Sequence, residues 1–101
     1  MDKAEAINKV RQFRHLLKDV FDIDTVYLYG SYARESNTED SDIDVAIVVN
    51  QLPDDFFATN PLLWKLRRKV DERIEPLLFD KNTDHNGFLE EIKKYGIAIT
   101  D

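Results

Sequence analysis

Two stretches decide the fold: Thr25-Val26-Tyr27-Leu28-Tyr29-Gly30-Ser31 and, with ten residues between Ser31 and Asp42, Asp42-Ile43-Asp44-Val45-Ala46-Ile47-Val48-Val49. The first is rich in β-branched and aromatic residues, so residues 25–29 read as a strand that Gly30 ends. The second carries a continuous apolar run, which predicts a strand over 42–49, buried on both faces and central in its sheet. Side chains alternate along a strand, so Asp42, Asp44, Ala46 and Val48 share one face while Ile43, Val45, Ile47 and Val49 share the other. The two aspartates then have Cα atoms roughly 6.5–7 Å apart, at about 3.3 Å rise per residue, and their carboxylates can converge on divalent cations. Between the strands, Ser31 can cap a short helix over 32–35. Gly30 allows close backbone approach, and a Gly-Ser turn into a helix can hold phosphate on its N–H groups. Together these features point to metal-assisted chemistry on a nucleoside triphosphate.

Working outward, Ile7, Val10, Phe13, Leu17 and Val20 recur at helical steps and predict a helix over residues 3–21. Residues 36–41 are polar and read as a loop, and 50–59 as a connection. Asn60-Pro61 is a helix start, with Asn at the cap and Pro in the first turn, for a helix running to about Glu72. A third strand is expected over 73–79, a loop over 81–86, a helix over 87–95 with Leu89, Ile92 and Tyr95 inward and Gly96 as its stop, and a last strand over 97–100. This alternating order predicts an α/β (α+β) fold, a small sheet of about four strands with helices packed on it.

The chain has 101 residues, the size of one domain. It is 43% hydrophobic and 34% charged, which places it among globular chains rather than disordered ones. It has no cysteine, which excludes disulfides and thiolate metal sites and agrees with a cytoplasmic protein. No apolar run approaches a membrane span, and the first residues do not read as a signal peptide. A net charge of −6 argues against stable nucleic-acid binding through bulk charge. It does not argue against a nucleotide, because a metal ion reverses the local sign. Nothing in the sequence specifies an oligomeric state.

Glu39, Asp40, Asp42 and Asp44 crowd four negative charges into six residues, which raises their pKa values unless a cation compensates. Taken alone, Asp40-Ser41-Asp42 also reads as a polar turn entering a strand, and Gly30-Ser31 as an ordinary strand-to-helix turn. Clamping two metals about 3.5–4 Å apart calls for a third carboxylate. Glu75 is the candidate, because a charge in the otherwise apolar Arg73-Ile74-Glu75-Pro76-Leu77-Leu78-Phe79 is costly without a partner. Pro76 holds Glu75 extended and suggests an edge strand or a bulge. An exposed edge residue is the plainer alternative. Arg34 could touch phosphate or lay its stem on the helix. Lys65, Arg67, Arg68 and Lys69 read first as a solvated basic face, and His15 and His85 as surface residues. Tyr27, Tyr29 and Tyr32 read as packing, with Tyr32 also open to contact a base or serve as acceptor.

Gly30-Ser31-Tyr32-Ala33-Arg34 followed by Asp42-Ile43-Asp44 resembles the nucleotidyltransferases related to DNA polymerase β, and more closely their stand-alone minimal nucleotidyltransferases. The resemblance covers nearly the whole chain. It implies the mixed sheet of that fold, a triphosphate held by Gly30 and Ser31, and two Mg²⁺ bound by Asp42 and Asp44. It puts Glu75 in the third-carboxylate place, binding the second metal and helping deprotonate the acceptor hydroxyl. It further implies AMP transfer from ATP to a hydroxyl. Minimal members are typically paired with a helical HEPN partner in toxin–antitoxin systems, so the implied acceptor is a tyrosine of a HEPN toxin and the implied role that of antitoxin. Two alternatives stand beside it: a weak or inactive module that neutralises the toxin by binding, and transfer to a small molecule or RNA end. The sequence departs from the family pattern at Glu35, where glycine is frequent, and at Glu75, where the wider superfamily has Asp.

Overall fold

The computed structural model describes residues 1–83 and 87–101. His85, and residues 84–86 of the loop expected over 81–86, lie outside them. Helix α1, Lys3–Leu17, opens on Asp2, whose carboxylate accepts from the Glu5 N–H at 2.8 Å, and it buries Ala6, Val10, Phe13 and Leu17. It stops short of the expected residue 21. The N–H groups of Val20 and Phe21 both return to the Leu17 carbonyl, and this turn keeps Phe21 buried while Ile23 starts the sheet. The helical spacing of residues 17, 20 and 21 therefore continued beyond the helix itself.

The strands are β1 (Ile23–Tyr29), β2 (Ile43–Val49), β3 (Ile74–Asp80) and β4 (Ile97–Ile99), in the order β3-β2-β1-β4. β1 is antiparallel to β2 and β4, while β2 and β3 are parallel, so the sheet is mixed. As the apolar run predicts, β2 is interior and Val45 to Val49 are at most 1% exposed. Asp42 lies one residue ahead of β2. β3 is an edge strand without a bulge, and this accommodates Pro76. The Ile43 N–H donates to the Arg73 carbonyl at 2.8 Å, and the alternation that follows turns the proline nitrogen to the open side.

One face of the sheet, through Val26, Leu28, Ile43, Val45, Ile47 and Val49, packs on α1 and on Leu63 of helix α3 (Phe56–Arg67). Asn60-Pro61 does not start that helix: Pro61 lies inside it. The Asp55 carbonyl accepts from the N–H groups of Ala58 and Thr59 and begins the turn. Pro61 then removes one helical bond, the one an N–H there would make to the Phe57 carbonyl, at an exposed position in the first half of the helix. The helix ends at Arg67 rather than near Glu72, because Val70 and Asp71 both close back on the Arg67 carbonyl. Helix α4 (Phe88–Tyr95) meets the opposite face, with Phe88 edge-on to Tyr29 at 6.1 Å and tilted against Phe79 at 5.9 Å. No helix of the described residues is long and apolar enough to cross a membrane.

Candidate active site

The register of three strands lays Tyr29, Asp44 and Glu75 in one row: Tyr29 is opposite Asp44, and Asp44 is opposite Glu75. Directly paired residues point to the same face, so both carboxylates rise from the face that bears Phe88. Asp42 enters from the loop just before β2. The Thr38 N–H donates to Ser41 Oγ at 2.8 Å and the Ser41 N–H to the Thr38 carbonyl at 3.2 Å, which sets the direction of that entry.

The charges act on one another. Burial, and then the charge of Asp42, push the Asp44 carboxyl above the ordinary range, and Arg34 pulls against them. Glu75 is exposed on the edge strand, as the plainer reading of the sequence had it, yet its carboxyl is pushed up by the desolvation it meets, by the charge and hydrogen bonding of Asp42 and by Asp44, with Arg67 opposing. Tyr29 is pushed up to about 12 by burial, Asp44 and Glu75. Asp42, Asp44 and Glu75 thus form one electrostatic cluster on one side of the sheet. Among the described residues, no three acidic, histidine or cysteine side chains close into a ready-made cation cage. The donor set is nevertheless all carboxylate oxygen, the chemistry of a hard divalent cation such as Mg²⁺, and its uncompensated negative charge is what such an ion would neutralise.

Gly30 stands against this cluster. Its φ is +74°, and a Cβ placed on it would lie 2.2 Å from Asp44 Oδ2. The short helix α2 runs Ser31–Arg34, with Gly30 in the cap position and no side-chain cap bond. Ser31 is therefore the first helical residue rather than the cap, which leaves its hydroxyl available to a ligand. Glu35 follows in the left-handed conformation at φ 58°, the conformation a family glycine would adopt without strain. Arg34 Nε donates to the Gly30 carbonyl at 3.4 Å, which keeps the guanidinium beside Asp44. Tyr32 is fully buried and is packing rather than a base contact.

A cleft of about 530 Å³ opens here, between Tyr29, Gly30, Arg34 and Asp44 on one side and Phe88, Glu91, Ile92, Tyr95 and Gly96 on the other. Its α4 wall is absent from the sequence reading. Tyr95, expected inward, is 60% exposed. The signal was a second helical stripe: residues 88, 91 and 95 are spaced three and four apart, beside the apolar stripe of Leu89 and Ile92. Gly96 brings the helix end onto β1, since a Cβ there would meet the Ile92 carbonyl at 2.6 Å and the Leu28 carbonyl at 3.1 Å.

A mixed sheet carrying paired carboxylates beside a Gly-Ser turn defines a nucleotide-handling transferase, and comparison with known proteins gives the family. The model described as "Polymerase beta, Nucleotidyltransferase" matches residues 11–101, and the chain belongs to that family. "Putative protein adenylyltransferase MJ0141" of Methanocaldococcus jannaschii is 32% identical over 101 residues, covering 94% of this chain and 99% of that protein. "Putative protein adenylyltransferase MJ1379" of the same organism is 42% identical over 84 residues, 81% of each chain. Among solved structures, a toxin–antitoxin with AMP-PNP superposes with a TM-score of 0.65 at 25% identity, over 91% of this chain and 70% of that one. A structure described as a "putative nucleotidyltransferase from Sulfolobus solfataricus" agrees in fold, with a TM-score of 0.66 at 16% identity over 95% of this chain and 80% of that one.

Proposed function

We propose that this nucleotidyltransferase moves AMP from ATP to a hydroxyl of a protein partner, a tyrosine of a HEPN-type toxin, and that it acts in this way as an antitoxin. The row of Asp44 and Glu75, with Asp42 and Gly30-Ser31 at its end, carries the reading. Gly30 and the Ser31 hydroxyl would hold the triphosphate, with Arg34 as counter-charge. The nucleoside would lie in the cleft against Phe88 and Tyr95. Asp42, Asp44 and Glu75 would hold two Mg²⁺. When bound, these ions supply charge neutralisation at the α-phosphate and the departing pyrophosphate. Glu75, beside the open edge of the sheet where an acceptor can approach, would take the proton as the hydroxyl oxygen bonds to the α-phosphorus and the bond to pyrophosphate breaks. Catalysis is then mostly positioning and electrostatic compensation.

Two observations favour a protein acceptor. Relatives that match most of this chain are named protein adenylyltransferases, and a toxin–antitoxin structure called MntA-HpeT superposes at 26% identity with a TM-score of 0.64 over 88% of this chain. A net charge of −6 also repels a polyanionic acceptor, whereas a protein hydroxyl brings no such penalty. The test is to incubate the chain with labelled ATP, Mg²⁺ and the protein encoded by the neighbouring gene. Label is expected on a tyrosine of that protein, and the variant carrying Asp42→Ala and Asp44→Ala should transfer none. If the double variant protects cells from the toxin as well as the parent does, neutralisation is by binding and the enzymatic reading of antitoxicity falls.

A further inference from the structure

Arg67 differs from the basic residues around it. Lys65, Arg68 and Lys69 are exposed, whereas Arg67 is half-buried at the last turn of α3. Its Nη1 donates to the Ile74 carbonyl at 3.2 Å and also to the Glu72 carbonyl. Its guanidinium lies over the Trp64 ring, 4.9 Å from the centroid. Ile74 immediately precedes Glu75 and pairs with Ile43, so its carbonyl is an edge group of β3 facing away from β2. The helix thus reaches across and grips the outer side of the strand at the residue before the third carboxylate, while Pro76 stiffens the residue after it. The guanidinium is also within electrostatic reach of Glu75, whose carboxyl it pulls down against burial and the aspartates.

We propose that Arg67 is the positioning residue of the third carboxylate: its Nη1 on the Ile74 and Glu72 carbonyls, with the guanidinium braced by Trp64, keeps Glu75 in line with Asp44. The inference rests on the nucleotidyl-transfer reading and assigns a role to a residue that touches neither nucleotide nor acceptor. Arginine suits it because a planar guanidinium can bond two carbonyls through Nη1 while its face lies on an indole, and a lysine ammonium has no such face.

Arg67→Lys is the informative variant, since it keeps the charge and loses the planar guanidinium that lies on Trp64. Mn²⁺ is the probe, titrated into the full chain by calorimetry in the presence of AMP-PNP. Loss of an outer support of a metal ligand typically costs roughly 10- to 100-fold in affinity or activity. Mn²⁺ binding in Arg67→Lys is therefore expected to weaken about tenfold, kcat to fall in parallel and KM for ATP to stay within about twofold, because the triphosphate contacts lie on α2. Arg68→Lys, one residue on and exposed, should behave as the parent. If Arg67→Lys fails to fold, Trp64→Leu removes the brace instead, and a smaller weakening of Mn²⁺ binding in the same direction supports the assignment. Parental Mn²⁺ affinity in Arg67→Lys, or in Trp64→Leu should that variant have to stand in, overturns it. A parent chain that binds no Mn²⁺ with AMP-PNP overturns the nucleotidyl-transfer reading itself, and this assignment with it.

Discussion

Gly30 has no room for a side chain, and the atom that excludes one is a carboxylate oxygen of Asp44. The turn before α2 and the carboxylate row are therefore one object: glycine is required both by its positive φ and by the approach of Asp44. The same crowding costs stability. Asp44 is half-buried, and its carboxyl is raised chiefly by burial and by Asp42. A group raised in the folded state contributes stability below its unfolded pKa and loses that contribution as pH rises through the folded value. At pH 7, without metal, the Asp44 carboxyl thus opposes folding. Asp44→Asn is expected to abolish transfer yet raise Tm by about 2–4 °C at pH 7, with the gap to the parent closing near pH 4. Melting curves without Mg²⁺ at the two pH values check this, and a lower Tm for the variant at pH 7 would refute the account.

At the scale of elements, α2 is only four residues long and is held at both ends by backbone that suits glycine. At its start the sequence supplies Gly30, and at its end Glu35. Glu35 sits at φ 58°, its N–H bonds the Tyr32 carbonyl at 3.4 Å, and the Ser36 N–H bonds the Ser31 carbonyl at 2.9 Å. Its side chain reaches Lys3 at 3.6 Å but is largely exposed, so that pair contributes little. The left-handed backbone costs a non-glycine residue roughly 1 kcal/mol. Glu35→Gly should therefore stabilise the chain by about 0.5–1 kcal/mol in urea titrations. The departure from the family's glycine then reads as a stability cost at a tolerated position, not as damage to the turn at Gly30-Ser31.

Across the whole molecule, one acidic residue ties the first helix to the edge of the sheet. Asp71 accepts from the Arg73 N–H at 2.9 Å, from Arg73 Nε at 3.0 Å and from Nη2 at 2.7 Å, and Lys9 of α1 stands 3.2 Å away. These partners, the Arg73 hydrogen bonds first, hold its carboxyl well below the usual range. A lowered folded pKa gives stability that is present above the unfolded value, near 4, and is lost as pH falls below it. Asp71→Asn is expected to cost about 1–2 kcal/mol at pH 7 in urea titrations and progressively less below pH 4. An unchanged unfolding midpoint at pH 7 would show that the tie contributes nothing.

The sequence by itself determined what depends on local periodicity and composition: a central β2 from the apolar run Val45 to Val49, a shared face for Asp44, Ala46 and Val48 from alternation, a glycine turn before a short helix, and at Pro76 an edge strand or a bulge, of which the structure has the edge. These follow from neighbouring residues, because side-chain direction and proline's missing donor are properties of a few consecutive positions. Tertiary structure alone decided which distant residues meet. Glu75 stands opposite Asp44 because a parallel pair, joined through α3, settled into that register, and a slip of one residue would have turned Glu75 to the other face. Tyr29 joins the row through an antiparallel pairing, and Phe88, Glu91 and Tyr95 become a cleft wall only because α4 packs back on β1. Asn60-Pro61 looked like a start signal, yet α3 begins upstream of it, because a proline inside the N-terminal part of a helix forfeits few bonds. Such outcomes depend on the summed packing of segments far apart in the chain, which no short window of sequence contains.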